Sequence, residues 1–286
     1  SNLIKDKFGN ILPDEKIVSL ENAYRVSYDP STNIGLQEPI DGLGPRTHRF
    51  QSLGHDPLLG FIFGVRDIIY GDFTAIGRDG HIVIQNITDP MTHGERLFVK
   101  VLEALKRHFG HLVSDVATPA GLPAPLMPLV QFLQFGKIGN REYTFGEVAR
   151  QMYRSGYDFR HFIASSIPVI ISETIVRVGY FVRKIRAGKS ISDAIPTASS
   201  INLRRQLLIA HSVGLLINAG KVYVSSNPLS ISWPQVLAFL RYIIPEVTFL
   251  LYGKENSRFK LVEEHILDDY ENINREITFY EFDLVD

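Results

Sequence analysis

Apolar side chains fall at positions 97, 98, 101, 102, 105, 109, 112, 113 and 116, a spacing that only an α-helix gathers onto one side. His111 and Asp115 lie four apart in this stretch, so the same helix projects an imidazole and a carboxylate from one face, with His108 close to that face. Other apolar runs of helical period recur along the chain. The expected fold class is mostly α: a multi-helix bundle with a short β-hairpin excursion near residues 72–86, in a single domain over 1–286.

Punctuation sets the expected boundaries. Asp56-Pro57 and Asp89-Pro90 both read as a capping carboxylate followed by a first-turn proline, predicting helices over 57–70 and 90–117. Phe73-Thr74-Ala75-Ile76, a turn at Asp79-Gly80 and His81-Ile82-Val83-Ile84 give the hairpin. Pro123, Pro125 and Pro128 make an elbow before a short helix over 129–135, and Thr144-x-x-Glu147 is a capping box for the next helix. A helix over 159–187 containing Pro168, a linker over 188–200, a helix over 202–218 stopped by Gly220, and a short strand at 222–224 follow. Trp233-Pro234 opens a helix to about 252, interrupted near Pro245, and 259–272 reads as an amphipathic surface helix. Residues 45–130 form the motif-bearing half and 140–286 the helical remainder.

Composition narrows the chemistry. With 30 basic and 31 acidic residues there is no strong nucleic-acid signal. The absence of cysteine excludes disulfides, thiolate metal sites and cysteine nucleophiles, so a metal must be held by His, Asp or Glu. No uncharged apolar run reaches the 18 or so residues that span a bilayer. The closest, 162–182, is broken by Pro168, Glu173 and Arg177. The expectation is therefore no membrane span and a cytoplasmic location, with membrane association as the alternative.

Two clusters carry the polar chemistry. In the first, His48, Arg49, His55 and Asp56 crowd into otherwise apolar sequence where a helix is expected to begin; Asp56 as a cap and His55 as a turn residue is the structural alternative. In the second, His111 and Asp115 suit chelation of a divalent ion, or a helix-surface ion pair. Glu173 and His211, polar residues inside apolar helices, read as an ion pair with Arg177 and as a core imidazole, or as the source of a missing metal ligand should their helices pack against 90–117.

The stretch Gly110-His111-Leu112-Val113-Ser114-Asp115-Val116-Ala117-Thr118-Pro119-Ala120-Gly121-Leu122-Pro123 resembles the G-H-L-x-x-D-x-x-T-P-x-G-x-P signature of bacterial inner-membrane metal-dependent hydrolases. Their upstream H-R-x-x-T-H-S segment is loosely similar to His48-Arg49 through His55-Asp56, where the second histidine stands seven positions after the first rather than five. The resemblance covers about residues 45–130. It implies His55, His111 and Asp115 as metal ligands, with His48 or Asp56 completing the shell. The family is similar in outline to helical zinc phospholipase C and nuclease enzymes, which implies, by analogy, hydrolysis of a small-molecule or lipid phosphoester by a metal-activated water. Zinc is the first choice of ion, with manganese or magnesium as alternatives. His48, Arg49 and Asp56 are the candidates for acid/base and phosphate-holding roles. The rival reading is a non-catalytic helical interaction or defence-related module with a structural metal or none.

Overall fold

The computed structural model describes residues 12–118, 120–138, 141–197, 200–253, 266, 267, 270 and 273. Among the described residues the chain is mostly helical with one two-stranded hairpin, the architecture its periodicities predict. Its contacts divide it into two compact units, Ser1–Ile175 with Val213–Val236, and Val176–Ser212 with Leu237–Asp286.

In the first unit, α1 (Asp14–Ala23) precedes a long loop, then a one-turn helix α2 (His48–Gln51) and 3-10 turns at Leu53–His55 and Leu59–Phe61. The helix expected from Pro57 begins only at α3 (Phe63–Tyr70). Asp56 does cap the chain there, since its Oδ1 accepts from the amides of Leu58 and Leu59, but the turn it starts is 3-10. Strands β1 (Asp72–Ile76) and β2 (Ile82–Asn86) pair antiparallel with Asp72 opposite Asn86 and Ile76 opposite Ile82.

The second proline-led helix also starts late, at α4 (Leu97–Ala117). Residues 87–91 are drawn into other hydrogen bonds first: the amides of Ile87 and Thr88 donate to the Gly71 carbonyl, and that of Met91 to the Ile68 carbonyl. A backbone pinned to a neighbouring element cannot also wind into a helix. The elbow leads to a 3-10 turn, Met127–Phe132, rather than an α-helix, and then to α5 (Phe145–Arg154). The capping box forms as expected, Thr144 Oγ1 accepting from the Glu147 amide and Glu147 Oε2 from the Thr144 amide.

Two apolar clusters organise this unit. One gathers Tyr28, Ile40, Val65, Ile68, Phe73 and Ala104; the other gathers Phe50, Met127, Val148, Met152, Tyr153 and Tyr157. Phe50, stacked on Tyr153 with ring centroids 5.4 Å apart, anchors α2 to α5.

Further along the chain come α6 (Phe159–Arg186), the single turn α7 (Ile191–Ala194), α8 (Ile201–Ser225) and α9 (Trp233–Thr248), the last running on as a π-helical turn over Phe249–Gly253. The second unit has its own small core of Tyr180, Leu203, Leu207 and Tyr242. Gly220 does not stop α8, and 222–224 is helix rather than strand; Pro245 lies inside α9. The surface helix expected over 259–272 lies largely outside the described residues.

The expectation of no membrane span is overturned. Helices Phe159–Arg186, Ile201–Ser225 and Trp233–Gly253 are each long and apolar enough to cross a membrane, and their most apolar windows are 0%, 17% and 6% buried. Two charges and a proline do not disqualify α6, because a spanning helix tolerates polar groups that find partners. Arg177 donates to the Pro196 carbonyl at 3.2 Å and the Tyr242 hydroxyl at 3.2 Å. These helices are compatible with membrane association.

Candidate metal centre

Three separate stretches of the first unit meet at one point. The turn α2 supplies His48 and Arg49, the 3-10 turn after it supplies His55, and α4 supplies His111 and Asp115 one turn apart. The third stretch is the loop after α1, and it brings Asp29.

His55 and His111 each follow a glycine, and the structure gives the reason. A β-carbon on Gly54 would lie 2.3 Å from Tyr28 Cγ, and one on Gly110 would lie 2.3 Å from Tyr24 Cγ. Each glycine therefore admits a tyrosine ring against the backbone beside a histidine, which lets the 24–29 segment close over both imidazoles. The Tyr28 ring meets His55 edge-on with centroids 5.0 Å apart and His111 at 5.7 Å, and its hydroxyl bonds to His108 Nδ1 at 2.8 Å. Packed so, the imidazoles have little freedom to rotate.

The donor atoms face one another. His55 Nε2 and His111 Nε2 are 3.4 Å apart, and Asp115 Oδ2 lies 3.5 Å from the first and 3.4 Å from the second. Asp29 Oδ1 lies 3.3 Å from His55 Nε2 and 3.1 Å from His48 Nε2, and Asp29 Oδ2 lies 4.0 Å from His111 Nε2. A tetrahedron of ligands about 2.1 Å from a shared centre has edges of about 3.4 Å. Asp29, His55 and His111 form a buried group, all within 4.8 Å, that could hold a metal ion.

The polar bookkeeping fits a cation as well. Asp115 is fully buried, and neither of its oxygens has a hydrogen-bond partner among the described residues. Buried carboxylate oxygens without donors are costly unless a positive charge sits near. Arg49 provides part of it, with Nη2 3.1 Å from Asp115 Oδ1, and it is shared with Glu21 at 3.7 Å and Asp29 at 4.0 Å. His48 Nδ1 lies 3.3 Å from the Gly44 carbonyl and its Nε2 3.1 Å from Asp29 Oδ1, so the ring faces an acceptor on each side.

Proton affinities follow the same surroundings. Burial pushes the Asp115 carboxyl well above the usual carboxylate range, against the opposing pull of Arg49. Burial lowers His55 to about 4, opposed by its hydrogen bond to Asp29, and lowers His111 to about 3 with help from His55. Burial would raise Asp29, but hydrogen bonds with His48 and His55 outweigh it and hold the carboxyl far below its ordinary value. Both buried imidazoles are thus neutral at pH 7, the state in which they ligate metals.

Of the residues singled out in the sequence, His48, Arg49, His55, His111 and Asp115 are brought together. Asp56 is not: its Oδ1 accepts from Leu58 and Leu59 at 2.9 Å each and its Oδ2 from the Leu126 amide at 2.6 Å, so three backbone amides occupy it. The carboxylate that joins the imidazoles instead is Asp29, in a stretch whose Asp-Pro-Ser-Thr-Asn composition reads only as a loop. His55 and Asp115 are wholly enclosed, whereas the side chains of Asp29, His48 and Arg49 are 27%, 13% and 14% exposed, so solvent reaches the group from their side. Compared with known proteins, the chain matches no family model, no curated protein and no solved structure.

Proposed function

We propose that this cluster is a divalent metal centre, with zinc the preferred ion, and that the protein is a metal-dependent hydrolase acting on a phosphoester. The observation that carries the reading is the near-equilateral triangle of His55 Nε2, His111 Nε2 and Asp115 Oδ2, edged by Asp29, with buried carboxylate oxygens that no hydrogen bond satisfies. Two imidazoles and two carboxylates form the mixed nitrogen and oxygen set that zinc accepts, and manganese or magnesium would lean more on the carboxylates.

Asp29, His55, His111 and Asp115 would hold the ion. Such an ion supplies a water nucleophile at neutral pH and offsets negative charge developing on a phosphoryl oxygen. The chain's own groups do the rest. Arg49 fixes the Asp115 carboxylate and lies on the open side, where an arriving phosphate oxygen meets a guanidinium. His48, oriented through Gly44 and also on that side, is the group placed to take up or release a proton. The Tyr28–His108 hydrogen bond holds the aromatic wall against which the ligand rings are set.

Elemental analysis of protein purified without chelator tests the reading. About one divalent ion per chain is expected in the wild type, and His111→Ala is expected to lose at least about ten-fold in metal content, as deletion of a ligand should. Equal metal in both proteins removes the basis for a centre. Hydrolysis of bis-p-nitrophenyl phosphate by the wild type, lost in His111→Ala, is the expected activity. The complete burial of His55 and Asp115 favours a second reading, a structural metal in a non-catalytic module. Stoichiometric metal with no phosphoesterase activity would select it.

A further inference from the structure

A second cavity of the first unit, separate from the metal cluster, is lined on one side by loop residues 42–47 and on the other by the face of α5 that carries Glu147, Arg150, Gln151 and Arg154; its volume is about 460 Å³. Its charged lining is four arginines, Arg46, Arg78, Arg150 and Arg154, against one glutamate. That glutamate is committed to the capping box through the Thr144 amide. Arg78 has a carboxylate at 3.7 Å in Asp41, but neither Arg46 nor Arg154 has an acidic partner among the described residues.

Arg150 and Arg154 stand one turn apart on the same helix, an arrangement that disfavours the helix unless an anion separates them. Arg150 is itself buried and held rigidly, donating to the Gly42 carbonyl at 3.2 Å and to Gln131 Oε1 at 2.8 Å. Its proton affinity falls to about 10, chiefly through burial and then through Arg78 and Arg154.

We infer that this groove is a binding site for a phosphate-class oxyanion, either free or as the headgroup of a phosphorylated lipid. Guanidinium groups present paired N–H donors whose spacing matches phosphate oxygens, and one prefixed arginine lowers the ordering cost of the rest. The cavity lies in the size range of small-molecule sites, so it accommodates more than a bare phosphate. The inference stands on the arginines alone and does not need the metal reading.

The test uses the full chain in nanodiscs of phosphatidylcholine, titrated with inorganic phosphate by calorimetry in the presence of chelator. Saturable binding is expected, with the dissociation constant raised about ten-fold or more in the Arg46→Ala/Arg154→Ala double variant. Both arginines are exposed, so their removal leaves the core intact. His111→Ala should bind phosphate as the wild type does. Equal binding by the double variant and the wild type overturns the inference, as does loss of binding in His111→Ala with retention in the double variant, which would put the anion on the metal cluster. Adding phosphatidic acid to the nanodiscs separates the sources: a weakened phosphate response identifies the lipid headgroup as the occupant, and an unchanged one identifies a soluble phosphate.

Discussion

Helices α4 and α6 break the ordinary rule of burial in opposite directions. On α4 the fully enclosed residues include His108, His111, Ser114 and Asp115, while Leu97, Phe98, Leu102, Phe109 and Val113 are at least half exposed. On α6 no residue of the most apolar 18-residue window is buried. Its Ile170, Ile171, Ile175 and Val178 face outward. Enclosing an imidazole pair and a carboxylate is sustainable where they satisfy one another through a shared charge. Exposing a row of isoleucines is sustainable where the surroundings are not water. One helix turns a polar cluster inward and the other an apolar row outward.

The largest effect should come from testing that difference at two positions of equal exposure. Ile171 on α6 and Ile84 on β2 are 54% and 53% exposed. An arginine at the centre of a spanning helix costs about 3 kcal/mol of insertion, whereas the same change at a water-facing strand position stays within about 0.5 kcal/mol. Ile171→Arg should therefore sharply reduce the fraction of protein that resists alkaline extraction from membranes, and Ile84→Arg should leave it unchanged. If both variants integrate equally, the outward isoleucines of α6 do not face lipid and the contrast between the helices collapses.

A smaller effect separates fold from site within the first unit. Asp56 was the natural companion of His55 in the sequence, but it accepts three backbone amides rather than joining the imidazoles. Asp56→Ala leaves those buried donors without their acceptor and is expected to cost about 2 kcal/mol, read as a lowered midpoint of unfolding. Its metal content should match the wild type. His111→Ala should do the converse, losing the ion while disturbing the backbone little. Loss of metal in Asp56→Ala at unchanged stability would return Asp56 to the ligand shell.

This division also marks where the sequence could be read and where it could not. Local signals survived: the 3.6-residue period of α4 and the Asp79-Gly80 turn of the hairpin. What failed depended on distant partners. Asp29 has no spacing relation to residues 55 and 111; it arrives on a segment whose Tyr24 and Tyr28 pack against two distant glycines. Asp89-Pro90 carries the same local signal as Asp56-Pro57, yet the hydrogen bonds of 87–91 to Gly71 and Ile68 postpone the helix to Leu97. The membrane-crossing length of α6 was hidden by Glu173 and Arg177, because a charge that finds polar partners in the fold looks, in a string of letters, like a charge that needs water.

The smallest effect concerns helix starts, and it sharpens the comparison from the other side. The helix α5 is ten residues long, polar on one face, and owes its start to the reciprocal Thr144–Glu147 box. Thr144→Ala removes the acceptor for the Glu147 amide and should lower the stability of the first unit by about 1 kcal/mol, while Thr144→Ser, which keeps the hydroxyl, should stay within a few tenths. Helix α6 begins with a similar device, Asp158 Oδ1 accepting from the His161 amide at 3.0 Å, but it continues for 28 residues. If its stability comes from an apolar solvent that forces every backbone group into the helix, then losing a cap should matter less there than in α5. Hydrogen exchange of the first helical turns in Thr144→Ala and Asp158→Ala reads both. Faster exchange across α5 but only at the first turn of α6 is the expected pattern; equal spread along both helices would mean that α6 is held, like α5, by the economy of a water-soluble fold.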